Sequence, residues 1–120
     1  MADEITLTLP VEEEFQGIAH LVLGGLAARI DLTVEYLEDM EIALDSLLER
    51  RGDSAVTIAV TVDDGLLRTS VGPFDGSVLV ELEHDETPLG LRRILETVCD
   101  TVEVEERGGA QWVQLTKATA

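Results

Sequence analysis

Hydrophobic and polar residues alternate along three stretches of the chain, and this period of two predicts β-strands with one buried face. In the first stretch, EITLTLP, the apolar positions are Ile5, Leu7 and Leu9, and Pro10 ends the alternation. The second, SAVTIAVTVDDGLLRTSV, predicts a hairpin that turns at Asp64-Gly65. The third, TVEVEERGGAQWVQLTK, predicts a hairpin around Gly108-Gly109.

Apolar residues recur at helical spacing in three other segments. VEEEFQGIAHLVLGGLAARI predicts a helix whose core-facing residues are Phe15, Ile18, Leu21, Val22, Leu26 and Ile30. DLTVEYLEDMEIALDSLLERRGD predicts a second helix that stops at Gly52, with an apolar stripe of Leu37, Met40, Leu44 and Leu47. ETPLGLRRILETVCD predicts a third, with Thr87 as N-cap and Pro88 at the first helical position. The preceding SVLVELEHD fits either a strand or a short helix.

The predicted order is β, α, α, β, β, loop, α, β, β, which lacks the repeated strand–helix–strand units of a doubly wound parallel sheet. We therefore predict an α+β two-layer sandwich: a mostly antiparallel mixed sheet of about five strands, with helices on one face. A chain of 120 residues forms one domain, from residue 1 to residue 120.

The formal net charge is −17, and the sequence pI is about 4.1. Such a field repels phosphate backbones and anionic lipids, so we expect neither nucleic acid nor membrane as a partner. It attracts a basic protein, although a solvated acidic surface that maintains solubility explains the charge equally well. The longest apolar stretch, LVLGGLAA, is too short to cross a bilayer. The single cysteine, Cys99, and the absence of a basic signal-peptide start predict a cytoplasmic location.

Side chains that carry common catalytic chemistry are scattered. His20, His84 and Cys99 have no partner at metal-ligand spacing, so we predict no metal site. The chain contains no GxSxG nucleophile turn, no P-loop and no GxGxxG loop.

Three segments resemble a known family when they are taken in order: EDMEIALDSLLERRGD, VGPFDG and PLGLRRILETVCDTVEVEE. The chain is similar to the anti-sigma-factor serine-kinase group of the GHKL, or Bergerat-fold, ATPases. Sequences of that group begin with LxLP and continue with an AVDEAxxNA-type helix, a DxGxG loop, a GLGL lid and VxVE. The resemblance runs from Ile5 to Lys117 and implies a Bergerat-like fold, with ATP and magnesium as the family's ligands.

The resemblance places Ser46 at the position of the catalytic glutamate and Arg50 at that of the magnesium-binding asparagine. An alcohol is no general base near neutral pH, and a guanidinium offers a metal no lone pair. Asp45 and Glu49 are the nearest carboxylates, and Glu49 points about 100° away from Arg50 on a helix.

The resemblance also places Ser70 at the position of the aspartate that accepts the adenine amine. Gly72 is retained, but Phe74 replaces the next glycine, where a phenyl ring blocks close approach of the backbone. Gly90 is the one glycine kept from the lid. Together, the eight positions Asp45, Ser46, Glu49, Arg50, Ser70, Gly72, Phe74 and Gly90 predict a vestigial nucleotide site with no catalytic residue and no bound cofactor.

We therefore expect a non-catalytic anti-sigma-type module that binds a protein partner, either a sigma factor or an anti-sigma antagonist. One alternative is a divergent ATP-binding serine kinase that uses Asp45 or Glu49 with ATP and magnesium. Another is a structural homodimer formed through the open face of the sheet.

Two further features have both a functional and a structural interpretation. Arg50 and Arg51, with Arg92 or Arg93, form a candidate anion site, although cations near a helix C-terminus are common. Trp112 alternates with Val113, which predicts that it lies on the outer sheet face with Thr57, Thr61 and Gln114. There it is either a partner contact or a side chain lying flat on its own sheet.

Overall fold

A computed structural model describes residues 3–9, 16–29, 32–49, 55–63, 65–74, 82 and 90–118. The elements follow in this order: β1 (Asp3–Leu9), α1 (Gln16–Arg29), α2 (Val34–Leu48), β2 (Val56–Asp63), β3 (Leu66–Phe74), α3 (Leu91–Val98), β4 (Thr101–Arg107) and β5 (Ala110–Ala118). The predicted order of strands and helices is thereby confirmed for the described residues.

The strands form one sheet in the order β1-β2-β3-β5-β4, and every described pairing is antiparallel. The predicted α+β class, with about five strands, is confirmed, without the parallel pair that a mixed sheet would contain. The turn between β4 and β5 has positive φ at Gly108 and Gly109, as a tight hairpin turn requires. Gly65 also has positive φ, whereas Asp64 lies outside the described residues.

The helices cover the sheet face to which the apolar positions of each strand point. One row of paired residues crosses this face from edge to edge: Ile5, Val60, Thr69, Leu115 and Val102. On α2, Met40, Leu44 and Leu47 are buried and Leu37 is half-buried, so the predicted stripe is confirmed. The opposite sheet face is polar, and the hydroxyls of Thr8 and Thr57 lie 2.9 Å apart there.

The predicted core face of α1 was wrong at Ile18 and Leu21, whereas Leu26 is buried as predicted and Val22 is half-buried. Leu21 is 77% exposed and Ile18 is 38% exposed. The residues buried against the core are Ala19, Leu23, Leu26 and Ala27. Apolar residues surround this helix, so spacing alone could not select the face, and two alanines allow closer packing than the larger side chains do. Phe15 and Ile30 lie outside the described residues.

The start of α3 also differs from the prediction. Gly90 is the N-cap and Leu91 the first helical residue, three positions after the predicted start at Pro88. Thr87 and Pro88 lie outside the described residues, as does most of SVLVELEHD. Leu91 is fully buried, so the first helical residue already belongs to the core.

Candidate functional site

The end of α2 contains the position that the resemblance assigns to the catalytic glutamate. Ser46 is buried there, and its hydroxyl donates a hydrogen bond to the Ile42 carbonyl at 2.8 Å. Glu49 is the exposed C-cap residue, whose backbone N–H donates to the Asp45 and Leu47 carbonyls. Arg50, Arg51 and the predicted stop at Gly52 lie outside the described residues. A hydroxyl bonded to its own helix is a poor ligand for a magnesium–nucleotide complex, because it offers no charge and little reach.

Asp45 faces α1 and interacts with His20. The Nε2 atom of His20 lies 2.7 Å from Asp45 Oδ1, and Nδ1 lies 2.8 Å from Glu41 Oε2. His20 has no such partner near it in the sequence, because both carboxylates belong to another helix. Glu41 and Asp45 are one turn apart, a spacing that puts both carboxylates on one face and could have indicated a shared partner.

This cluster joins α1 to α2. Each imidazole nitrogen faces a different carboxylate, so the three side chains do not converge on one point as metal ligands do. Among the described residues, no group of histidine, cysteine and acidic side chains is arranged to hold a metal ion.

Ser70 lies on the sheet face that is opposite to the helices. β3 directs Leu67, Thr69 and Val71 toward the helices, so Ser70 points to the opposite sheet face. There its hydroxyl accepts a hydrogen bond from Arg107 Nη2 at 3.1 Å. The assignment of Ser70 to the adenine contact stays a prediction, and its neighbour Thr69 is the residue that faces the helices, because successive residues of a strand point to opposite sides of the sheet.

Thr69 is the polar residue of β3 that faces the helices. Its side chain is 0% exposed, and its hydroxyl has no hydrogen-bond partner. Both strand neighbours in its row, Val60 and Leu115, are apolar. Such a group is costly to bury, so Thr69 is the position in this region that most requires a functional explanation. Sequence reasoning missed it because threonine is also an ordinary strand residue.

Gly72 and Phe74 serve packing. A Cβ atom added at Gly72 would lie 2.6 Å from Trp112 Cδ2, so the indole occupies the space that a side chain would need. The Arg107 guanidinium lies 4.9 Å from the Trp112 ring centroid on the outer sheet face, where Trp112 is half-buried. Phe74 is 7% exposed and belongs to the core. Trp112 thus lies flat on its own sheet, and its role as a partner contact stays a prediction.

The retained glycine, Gly90, is buried at the start of α3 and provides no side-chain cap. Two residues later, Arg92 donates from Nη1 to the Leu82 carbonyl at 3.2 Å and lies 3.7 Å from Glu96. Arg93 is exposed. Arg92 is therefore already bonded to protein groups, and the candidate anion site is not assembled within the described residues.

Lys117 forms a second cluster that sequence reasoning missed. Its ammonium donates to the Val98 carbonyl at 2.7 Å, lies 3.5 Å from Asp39 and stands 4.8 Å from the centroid of the Tyr36 ring. The lysine continues the inward alternation of β5 and so ties the last strand to α2 and α3. Burial raises the pKa of Tyr36, and Asp100 raises it further.

Burial also raises the pKa of the neighbouring Cys99 thiol to about 11, although Lys117 acts in the opposite direction. A buried thiol with so high a pKa is protonated at neutral pH, which gives Cys99 the character of a core residue.

Comparisons with known proteins test the resemblance to the anti-sigma serine-kinase group. No protein-family profile matches the chain. It is 28% identical over 129 aligned positions to the serine-protein kinase RsbW of Halalkalibacterium halodurans, covering 89% of this chain and 78% of that protein. It is 27% identical over 140 positions to the serine-protein kinase RsbW of Bacillus subtilis, covering 97% and 86%. The resemblance to this kinase group is thereby confirmed over most of the chain.

A solved structure confirms the fold. The crystal structure of the RsbU and RsbW domains of Rv1364c from Mycobacterium tuberculosis matches with a TM-score of 0.71 and 17% identity. The match covers 97% of this chain and 32% of the larger one. The described helices include none that is long and apolar enough to span a membrane.

Proposed function

We propose that this chain, which is similar in sequence to RsbW serine-protein kinases, is a non-catalytic anti-sigma-type module that acts by binding a protein partner. The observation that carries the proposal is Ser46: at the position of the family's base stands a hydroxyl that is bonded to the Ile42 carbonyl. Phosphoryl transfer depends almost wholly on positioning and charge neutralisation, so loss of the base and of the metal ligand removes most of the catalysis.

The partner class follows from charge. α2 contains five acidic and no basic residues, namely Glu35, Glu38, Asp39, Glu41 and Asp45. With a net charge of −17, this surface steers a basic partner toward the helical layer, and apolar contacts then hold it. A sigma factor or an anti-sigma antagonist is the partner that the resemblance implies, and we expect its association rate to fall as salt rises.

The test is calorimetric titration with ATP and with ADP, each with and without magnesium, on a chain shown to unfold cooperatively. We expect no binding heat. The matched variant is the double substitution Ser46→Glu with Arg50→Asn, which restores both family residues and should gain nucleotide affinity if the scaffold is intact. Clear magnesium-dependent ATP binding by the unsubstituted chain would contradict the proposal. The proposed binding of a protein partner is tested separately, by titrating candidate sigma factors and antagonists in the absence of nucleotide.

A divergent ATP-binding serine kinase is the second candidate, and Thr69 favours it. A buried, unpaired hydroxyl on the helix-facing side of β3 is suited to bind a ligand's polar group. The relatives compared above are named as kinases. This candidate predicts that ATP and magnesium raise the melting temperature and that Thr69→Val abolishes the rise. Without a ligand, Thr69→Val should stabilise the fold by about 1 kcal/mol, because it removes an unsatisfied polar group.

The second candidate also assigns the base to Asp45. Asp45→Ala should then abolish protection by ATP. Because this substitution also removes the contact with His20, the control is His20→Gln, which loosens the same helix pair and leaves the carboxylate in place. Equal loss of protection in both variants would indicate a structural effect and would count against Asp45 as a base.

A further inference from the structure

The outward side of α2 carries both apolar and acidic side chains. Val34 is 68% exposed and Ile42 is 47% exposed, so two large apolar side chains of this helix lie open to solvent. Glu38 lies midway between them at intervals of four residues, and the three side chains therefore project from one side of the helix. Glu35 is exposed in the first turn of the same side. We call Val34, Glu35, Glu38 and Ile42 the α2 outer strip.

The fold itself does not account for the apolar residues of this strip. α2 is held to the core by its other side, where Met40, Leu44 and Leu47 are buried. Valine and isoleucine are poorer helix formers than alanine or lysine, so helix propensity does not explain their presence at exposed positions. Val34 and Ile42 are separated by two turns, about 12 Å along the axis, which is the spacing of anchor contacts between packed helices.

The acidic residues of the strip differ from those on the flanks of α2. On the flanks, His20 and Lys117 contact the carboxylates that face the neighbouring elements. Among the described residues, no side-chain hydrogen bond or ion pair reaches Glu35 or Glu38. The two carboxylates are thus available to a cationic group from outside the chain, beside two apolar side chains that are equally available.

We propose that the α2 outer strip binds a basic amphipathic helix of the protein partner, an inference that rests on the proposed partner-binding function. Apolar side chains of the partner pack on Val34 and Ile42, and lysine or arginine side chains between them pair with Glu35 and Glu38. The backbone groups of α2 are bonded within the helix, so the contact is made by side chains, as in helix-on-helix packing.

Charge complementarity selects this occupant. A second copy of the chain would bring the same carboxylates against the strip, and its net charge of −17 would oppose the approach. An anionic lipid surface is repelled for the same reason. A basic helix gains attraction at the glutamates and buries apolar area at Val34 and Ile42, so it satisfies both kinds of side chain.

The geometry also predicts a pattern in the partner's sequence. Its two apolar anchors should lie seven or eight positions apart, because they must match the two turns between Val34 and Ile42. Lysine or arginine should follow the first anchor by three and four positions, since those residues share its side of a helix. The side facing away from α2 needs no particular residue type.

The test compares two fluorescently labelled peptides of the same composition, rich in alanine and lysine. In the patterned peptide two leucines lie seven positions apart with basic residues between them, and in the scrambled peptide the leucines lie on opposite sides. Binding is measured by fluorescence anisotropy at about 0.15 M salt, where long-range attraction is screened. We expect the patterned peptide to bind roughly tenfold more tightly than the scrambled one, with a gain of helicity by circular dichroism.

Substitutions in the strip test its residues one at a time. Glu38→Lys should weaken binding of the patterned peptide by roughly tenfold or more, because a like charge replaces an attractive one. Ile42→Ser should weaken it by roughly fivefold, since it removes apolar burial. The matched control is Glu103→Lys, which makes the same change of charge at an exposed residue of β4 and should alter affinity by less than about twofold. All three sites are exposed, so melting temperatures should confirm that each variant folds.

The proposal is overturned if the patterned peptide does not bind or binds no better than the scrambled one. Equal weakening by Glu38→Lys and Glu103→Lys also overturns it and assigns the attraction to net charge alone. A sigma factor or antagonist that binds Glu38→Lys and the unsubstituted chain equally well overturns it too, but leaves the proposed partner-binding function in place on another surface. Nucleotide plays no part in these measurements, so failure of the non-catalytic role would be seen separately, in the titrations with ATP.

Discussion

At position 72 the chain has no room for a side chain, because the indole of Trp112 occupies that space. A contact within this protein, between β3 and β5, therefore explains the glycine at this position. The Arg107 guanidinium lies 4.9 Å from the centroid of the indole and also donates to Ser70 and Glu105, each at 3.1 Å.

Gly72→Ala should lower the free energy of unfolding by about 1–3 kcal/mol, because the new methyl group displaces the indole. Urea unfolding monitored by Trp112 emission measures both the stability and the displacement. Gly24→Ala is the control: a Cβ atom there meets nothing within 4 Å, and the better helix former should add up to about 1 kcal/mol. Equal stability of Gly72→Ala and the unsubstituted chain would contradict this account.

Cys99 gives a pH dependence whose sign can be worked out. Its pKa rises from 9.0 to about 11 because the thiolate is poorly solvated in the core. The unfolded chain loses this proton first, so the thiol's contribution to stability is complete below pH 9 and is lost as the pH rises toward 11. In the folded protein at pH 8, a thiol reagent should react about a hundredfold more slowly than with the unfolded chain, on thiolate fraction alone.

Cys99→Ala should remove this part of the alkaline loss of stability. It should retain the part that arises from Tyr36, whose pKa is also raised by burial. Denaturant unfolding at a series of pH values between 8 and 11 separates the two contributions. A rapid reaction of the thiol in the folded state would show that Cys99 is more accessible than its burial indicates.

At the scale of single elements, α1 and α2 depend on each other through His20. Its two nitrogens contact carboxylates that are one turn apart on α2, so this side chain links the two helices in addition to their packing in the core. The side chains are between about a quarter and two-fifths exposed, which limits the strength of each contact.

His20→Ala should therefore destabilise the fold by about 1 kcal/mol, with part of the loss arising from repulsion between the unpaired Glu41 and Asp45. A double-mutant cycle with Asp45→Asn measures the coupling between His20 and Asp45. Additive effects of the two substitutions would show that the contact contributes nothing measurable.

The strands and helices differ in how well the sequence alone predicts them. The strands could be predicted because buried residues such as Ile58 and Val60 occupy every second position. The stripe of α2 could be predicted because Met40 and Leu44 recur at the spacing of one helical turn. α1 could not be oriented, since it is apolar on nearly every side and only the packing of Ala19 and Ala27 selects its face. The buried, unpaired hydroxyl of Thr69 could not be predicted, because the alternation of a strand does not reveal whether a polar residue on the inner face has a hydrogen-bond partner.

At the scale of the whole molecule, the large negative net charge destabilises the compact folded state. With 25 acidic residues against 8 basic ones, the folded chain repels itself, and the few ion pairs described offset little of this repulsion. The His20 and Lys117 clusters place positive or protonatable groups against α2, where the acidic density is greatest.

Raising the sodium chloride concentration from low to moderate should raise the melting temperature, because screening of the net repulsion outweighs the weakening of surface ion pairs. Scanning calorimetry at several salt concentrations measures the effect, and sucrose, which carries no charge, is the control for general exclusion from the surface. A melting temperature that falls with salt would show that the ion pairs dominate over the net repulsion.

The place of β1 in the sheet has a consequence for synthesis on the ribosome. β1 emerges first, yet its described neighbour is β2, and Thr8 meets Thr57 across 49 residues. At about 5–20 residues per second, the alternating EITLTL segment waits several seconds before its partner strand exists. The hairpins β2–β3 and β4–β5 can close as soon as each leaves the tunnel, whereas β1 has to wait for a strand that is distant in sequence. During that interval it is a natural recognition segment for a chaperone that binds nascent chains.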